Sequence, residues 1–203
     1  MATTDDTLDI RDIPDAPRDE ADVALGEAAP ALADLGLQLR LELGRRLIVA
    51  LVAPLGRADD AFTNLTMRLA AYPEVFTLVL APQSTKTEEA ERVVLEAARV
   101  DADALLVGLA AGSPTTQLVD SASVPSLKWP RDVLQVAERV GLRDRAFVGL
   151  LGANVTRESA RRLGYEDGFA VTIAAHDLVA YLAREALARE QQRRSGSSPP
   201  CYL

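Results

Sequence analysis

From Arg46 onward, short apolar runs alternate with stretches whose apolar residues recur at helical spacing. The runs cover residues 47–53, 75–80, 104–109 and 146–151, with a weaker one at 169–172. Each is continuously rather than alternately hydrophobic, which suits strands covered on both faces of a parallel sheet. Between them, four sets of residues each fall on one helix face: Phe62, Leu65 and Leu69; Ala90, Val93, Val94, Ala97 and Ala98; Val133, Val136, Ala137 and Val140; Val179, Leu182, Ala183, Ala186 and Leu187. Boundary signals agree. Thr85-Lys-Thr-Glu88 reads as a capping box, Thr156 as the cap of a short helix before the weak run, and Gly164 as that helix's end. Five βα units predict an α/β fold, a doubly wound five-stranded parallel sheet of flavodoxin-like order 2-1-3-4-5, with any ligand at the carboxyl ends of strands 1, 3 and 4.

Residues 28–45 are ambiguous. Leu35, Leu37, Leu39, Leu41 and Leu43 alternate as in a strand, while the Leu, Ala and Glu content suits a helix, so the segment reads as an additional element on the domain or on a partner. The α/β domain then spans residues 46–190. Residues 1–27 hold nine acids against Arg11 and Arg18, a net of −7 out of −8 for all 203 residues, and with Pro14 and Pro17 they are expected to be disordered. Residues 191–203 read as a second disordered tail.

Charge and composition exclude several classes of function. An acidic chain with no basic stripe argues against nucleic acid or an anionic membrane as partner. The longest unbroken apolar run, residues 47–55, has nine residues and contains Pro54, far short of a membrane span, and no basic-then-apolar signal segment opens the chain. The single cysteine, Cys201, rules out an internal disulfide. A soluble, cytoplasmic protein is the expectation. Neither G-x-G-x-x-G nor G-x-x-x-x-G-K-[ST] occurs, so dinucleotide and nucleoside triphosphate chemistry has no support.

The candidate ligand loop after the first strand, 51–62, reads LVAPLGRADDAF. Asp59 and Asp60 invite comparison with phosphorylatable receiver domains, but those need an Asp ending strand 3 and a Lys after strand 5, where this chain has Gly108-Leu109 and Phe169-Ala170. The acid pair therefore reads as a helix start favoured by the helix dipole. His176 is the only histidine and sits at the start of the last helix, so no histidine-based metal cluster is available and no catalytic triad is in view. Trp129 lies after strand 3 and reads as a packing lid or a partner anchor; Glu166-Asp167 reads as a solvated turn.

The second half carries a resemblance. Ala102-Asp-Ala-Leu-Leu-Val-Gly-Leu109, the stretch from Gly141 to Thr156 (GLRDRAFVGLLGANVT), Leu163-Gly-Tyr-Glu-Asp-Gly-Phe169 and His176-Asp-Leu-Val-Ala-Tyr-Leu182 together resemble the cobalamin (B12)-binding domain. The type they look most like is that of the lysine 5,6- and ornithine 4,5-aminomutases. The resemblance covers residues 46–190 and is most specific over 141–182. It implies a Rossmann-like domain that opens its sheet at the ends of strands 1, 3 and 4 to admit the cofactor's nucleotide tail. It also implies a lower cobalt ligand from the His of a D-x-H-x-x-G motif after strand 1, and a larger partner subunit that holds pyridoxal phosphate (PLP) and the amino-acid substrate.

Measured against that pattern, LVAPLGRADDAF has no His. Gly108 and Leu109 stand where a Ser-Thr pair would bond the tail, Leu150-Leu151 precede Gly152 where glycines would leave room, and the later Gly-Phe-Gly-x-Gly has become Gly168-Phe-Ala-Val-Thr172. Together these changes remove a ligand, a polar contact and the space, so the tail site reads as degenerate and the protein as an auxiliary, partner-binding subunit of an aminomutase-type complex. The acidic N-terminal segment and the Trp129 loop are its candidate contacts. The alternative is a genuine adenosylcobalamin-binding subunit, without a protein His ligand, of a PLP-dependent aminomutase (an isomerase). Cobalamin would then lie over Gly56, Arg57, Asp59 and Asp60, over Gly108, Gly112 and Ser113, and over Gly152, Asn154, Thr156 and Gly168. No residue is assigned as catalytic or as a metal ligand.

Overall fold

A computed structural model describes residue 36 and residues 39–54, 60–109 and 128–196. Among the described residues, β1 (Leu47–Val52), α1 (Asp60–Ala70), β2 (Val75–Leu80), α2 (Thr87–Arg99), β3 (Ala104–Gly108), α3 (Lys128–Arg139), β4 (Phe147–Gly152), α4 (Arg157–Arg162), β5 (Asp167–Ala170) and α5 (Ala175–Ser195) follow one another. The strands form one sheet in the order β2-β1-β3-β4-β5, and every neighbouring pair is parallel. This is the expected doubly wound arrangement, and it follows from the continuous apolar runs. β1, β3 and β4 are the central strands and need apolar side chains on both faces.

The two faces bury separate cores. On one, Ala50, Val52, Leu105, Val107, Val148 and Leu150 meet α2 and α3 through Val93, Val94, Val133 and Ala137. On the other, Val49, Leu51, Leu106, Phe147 and Phe169 meet α1 and α5 through Phe62, Leu65, Leu178 and Leu182. Phe147, Phe169 and Tyr181 pack there as a trio of rings, with centroids 5.2 to 6.1 Å apart and the Tyr181 ring edge-on to both phenylalanines.

Several local expectations need correction. Of the two readings left open for residues 28–45, residues 39–42 take the helical one: Leu39 is buried and Leu43, four residues on, packs on the same core, while Leu41 is 74% exposed. The four-residue spacing, not the alternation, decided which leucines went inside. The capping box at Thr85–Glu88 does not form. α2 starts at Thr87 after Lys86, which offers no side-chain cap, and Glu89 instead reaches back to accept from the Gln83 N–H at 3.0 Å. The box at α4 does form: the Thr156 hydroxyl accepts from Ser159 N at 3.1 Å, and Ser159 Oγ accepts from Thr156 N at 3.0 Å. Gly164 follows α4 at φ +91°, a left-handed conformation that suits glycine. α5 continues through residues 191–195, where the tail was expected to begin, because Gln191 and Arg194 both bond Glu42 of the N-terminal turn. Among the described residues, no helix is long and apolar enough to cross a membrane.

Candidate functional site

In an open parallel sheet the ligand crevice lies beyond the carboxyl ends of the strands. Here that edge is formed by Val52-Ala53-Pro54, Leu80, Gly108-Leu109, Gly152 and Val171. Of the candidate residues, Gly56, Arg57, Asp59, Gly112 and Ser113 lie outside the described residues, as do the acidic segment 1–27 and Cys201. Asp60 begins α1 and is exposed. Gly108 and Gly152 end the neighbouring strands β3 and β4. Asn154 is exposed on the following turn, Thr156 is committed to capping α4, and Gly168 lies in β5 beneath α4.

The glycines do not open a channel. A Cβ built on Gly108 would stand 2.7 Å from the Val52 carbonyl oxygen, 2.9 Å from Pro54 Cδ and 3.1 Å from the Phe62 ring. One on Gly152 would meet Val155 at 2.9 Å and Leu109 Cβ at 3.1 Å, and one on Gly168 would meet Val155 at 2.6 Å, Ala160 at 2.7 Å and the Thr156 carbonyl at 2.7 Å. Leu109 and Val155, which fill this space, are themselves buried. Between β1 and β2, β3 and β4, and β4 and β5 the sheet stays paired to its carboxyl end. Ladder bonds continue past the strand ends, from Ala53 N–H to the Leu80 carbonyl at 2.8 Å, Leu109 N–H to Leu151 at 2.7 Å and Val171 N–H to Gly152 at 3.2 Å. At these positions neighbouring protein groups already crowd the place a Cβ would take.

The donor set points the same way. His176 is in the first turn of α5, where its Nε2 lies 3.3 Å from Asp177 Oδ1. Among the described residues no three His, Cys, Asp or Glu side chains converge to hold a metal ion. Trp129 is not on a loop. It occupies the first turn of α3, is 3% exposed and packs in the core, so it is unavailable as a partner anchor. Its indole Nε1 has no hydrogen-bond partner among the described residues. Taken together, the described residues do not fit the nucleotide tail of cobalamin: the stretch after β1 has no histidine, and Pro54, Phe62, Leu109 and Val155 pack against the glycines that end β3 and β4.

The charged groups missed in the sequence do structural work. Glu166 and Asp167 are not a solvated turn. Asp167, 2% exposed, begins β5; its carboxylate accepts from Arg157 Nε at 2.9 and 3.1 Å, from Tyr181 OH at 3.0 Å and from Gly168 N at 2.8 Å. Burial, followed by the charge of Asp167, pushes the Tyr181 phenol up, and the same carboxylate raises Arg157. Glu166 bonds Val148 N at 3.0 Å and pairs with the largely buried Arg189, which also donates to the Arg143 carbonyl at 3.1 Å. Burial pushes the Glu166 carboxyl up, and the charge of Arg189 and the Val148 N–H pull it back. At the same end of the sheet Arg45 grips Asp103, 4% exposed, at 2.6 and 2.9 Å, and Asp103 also accepts from Ile48 N at 2.9 Å. The available signal was position: Asp103 directly precedes one apolar run, and Arg45 stands just before the neighbouring one.

An open cavity of about 490 Å³ is lined, among the described residues, by Arg157, Glu158, Arg161 and Arg162. Its charges are already engaged, Arg157 with Asp167, Arg162 with Glu158, and Arg161 with the Glu166 carbonyl at 3.4 Å.

No family model and no curated protein matches the chain. Among solved structures it is similar to a novel cobalamin-binding protein from Desulfitobacterium hafniense DCB-2, at 16% identity and a TM-score of 0.52, over 80% of this chain and 77% of that one. At that identity the likeness is one of fold.

Proposed function

We propose that this protein is a B12-binding-domain-like subunit whose cobalamin site is degenerate and whose work is to bind a partner. The observation that carries the reading is the closed carboxyl edge, with Pro54, Phe62, Leu109 and Val155 packed where a cofactor tail would enter, in a fold shared with a cobalamin-binding protein. The partner is a larger aminomutase-like subunit that would itself carry pyridoxal phosphate, and the acidic segment 1–27 is the contact this chain offers. With Trp129 buried, the N-terminal segment is the remaining candidate of the two expected.

The test is direct. The full chain is mixed with hydroxocobalamin or adenosylcobalamin and passed through gel filtration; a protein peak without corrin absorbance is expected, and co-purification from the native cell then identifies the partner. A corrin spectrum that stays with the protein overturns the degenerate reading. It would establish the second one, a cofactor-carrying subunit without a His ligand, which the fold likeness favours.

A further inference from the structure

Arginines scattered along the sequence are gathered at one end of the domain. In a chain of parallel βα units each helix returns to the amino end of the sheet, so helix ends and strand starts share one pole. Bonds between the strand starts fix it here: Leu47 N–H to the Glu74 carbonyl at 2.9 Å, Asp103 N–H to Ile48 at 2.8 Å and Phe147 N–H to Asp103 at 2.9 Å. Arg40 lies in the turn that leads to β1 and Arg46 directly before β1, Arg68 and Arg99 in the last turns of α1 and α2, and Arg145 two residues before β4.

All five are exposed, and among the described residues none of the five has a carboxylate partner. Their neighbours Arg45, Arg143 and Arg189 are already held by Asp103, Glu138 and Glu166. The acids there without an ion pair among the described residues are Glu42, Glu74 and Asp144, which leaves guanidinium groups in excess. The chain's two lysines, Lys86 and Lys128, stand at the starts of α2 and α3, at the other pole. What this pole presents is thus guanidinium, the cation that takes a carboxylate in two parallel bonds. The rest of the chain enters at the same pole. Gly36 is buried against the start of β2, where a Cβ on it would stand 2.7 Å from Glu74 Cγ. Ahead of it come residues 1–35, whose first 27 hold nine acids and two arginines.

We propose that the acidic segment 1–27 docks on the arginine pole of its own chain, its carboxylates pairing with Arg40, Arg46, Arg68, Arg99 and Arg145. Charge and placement select this occupant over an outside anion. A net charge of −7 meets guanidinium groups that lack acids, and the tether holds the two at an effective concentration of order millimolar. Reach is not limiting. Four strand starts about 4.8 Å apart span about 15 Å, whereas the linking residues 28–35 extend to about 25 Å. The contact neither needs nor excludes a bound cofactor. It goes beyond the partner reading, in which the same segment is the contact: a partner must then draw the segment off its own chain.

Nuclear magnetic resonance on the purified full chain, with no partner present, tests this. A spin label is attached at Ala16→Cys in a Cys201→Ser background, and amide broadening is read at both poles. At an ionic strength of about 0.01 M, broadening is expected at residues 45–46, 99–101 and 143–145 and not at Asn154 or Asp177 of the carboxyl pole. It should vanish at about 1 M salt, where the screening length falls to about 3 Å. It should also vanish when Arg40→Gln, Arg46→Gln, Arg68→Gln, Arg99→Gln and Arg145→Gln are combined, with circular dichroism unchanged because all five side chains are exposed and unpaired among the described residues. Broadening that is equal at both poles, that survives high salt or the five substitutions, or that arises only from a label on a separate copy overturns the proposal. So does a pole that retains heparin while the label leaves it unbroadened, which assigns the arginines to an outside polyanion. With no partner in the sample, any of these failures leaves the partner reading where it stood.

Discussion

Gly108→Ala is the sharpest test of the closed carboxyl edge, because it adds one carbon where the resembled family keeps a larger residue and a cofactor. The new Cβ would sit 2.7 Å from the Val52 carbonyl oxygen, with Pro54 Cδ at 2.9 Å behind it. Neither neighbour can step aside. Val52 is held in the ladder opposite Val107 and Leu80, and the proline ring has no alternative rotamer. Overpacking of this kind costs about 1–3 kcal/mol. Replacing glycine narrows the unfolded ensemble and returns about 0.4–1 kcal/mol. The net loss should be about 1–2 kcal/mol, which for a chain of this length lowers Tm by about 2–8 °C. Gly152→Ala makes the comparison informative, since its Cβ would meet the side chain of Val155 at 2.9 Å on a turn that can yield, and a smaller loss is expected. Thermal unfolding followed by circular dichroism measures both. If Gly108→Ala is as stable as wild type, the space beside β1 and β3 is not filled, and the basis of the proposed function fails with it.

Other measurements probe the charged groups. Glu166→Ala leaves Arg189 buried without its carboxylate and should cost about 3 kcal/mol in urea unfolding, whereas Glu166→Leu with Arg189→Met should recover most of that, since the pair's loss is dominated by the stranded charge. Losing the α4 cap in Thr156→Ala should cost about 1 kcal/mol by the same assay. Tyr165 and Tyr181 are both pushed up, chiefly by burial, so the native state keeps protons that the unfolded state releases above its ordinary tyrosine pKa. Stability must therefore fall as pH rises beyond about 10. Phenolate absorbance should show both tyrosines silent until the chain unfolds, and in Asp167→Asn, which removes a neighbouring negative charge, Tyr181 should ionise at lower pH than in wild type.

Periodicity made the sheet legible because every central strand is apolar on both sides, and no amphipathic alternative competes with a parallel, buried reading. It failed where the deciding interaction was not periodic. Glu166-Asp167 looked like a turn because two acids in sequence favour water, and only the distant Arg189, Arg157 and Tyr181, brought by α5 and α4, make their burial tolerable. Trp129 looked like a loop residue because the start of α3 carries no capping signal. Leu35 to Leu43 stayed ambiguous because alternate leucines satisfy a period of two as readily as Leu39 and Leu43 satisfy a helical turn. At the candidate site the substitutions themselves could be read in the chain. What could not be read was that Phe62, reaching over from α1, and Pro54 would close on Gly108.

Both charge clamps, Arg45 with Asp103 and Arg189 with Glu166, fasten the amino ends of the strands, through Ile48 N–H and Val148 N–H, at the opposite pole from the crevice. These clamps and the carboxyl edge, where any ligand would lie, are thus at opposite poles of the sheet. Changes in the stretch after β1 leave both clamps untouched. A transplanted loop bearing a histidine after β1 would therefore change the chemistry of that edge while leaving what fastens the strands in place.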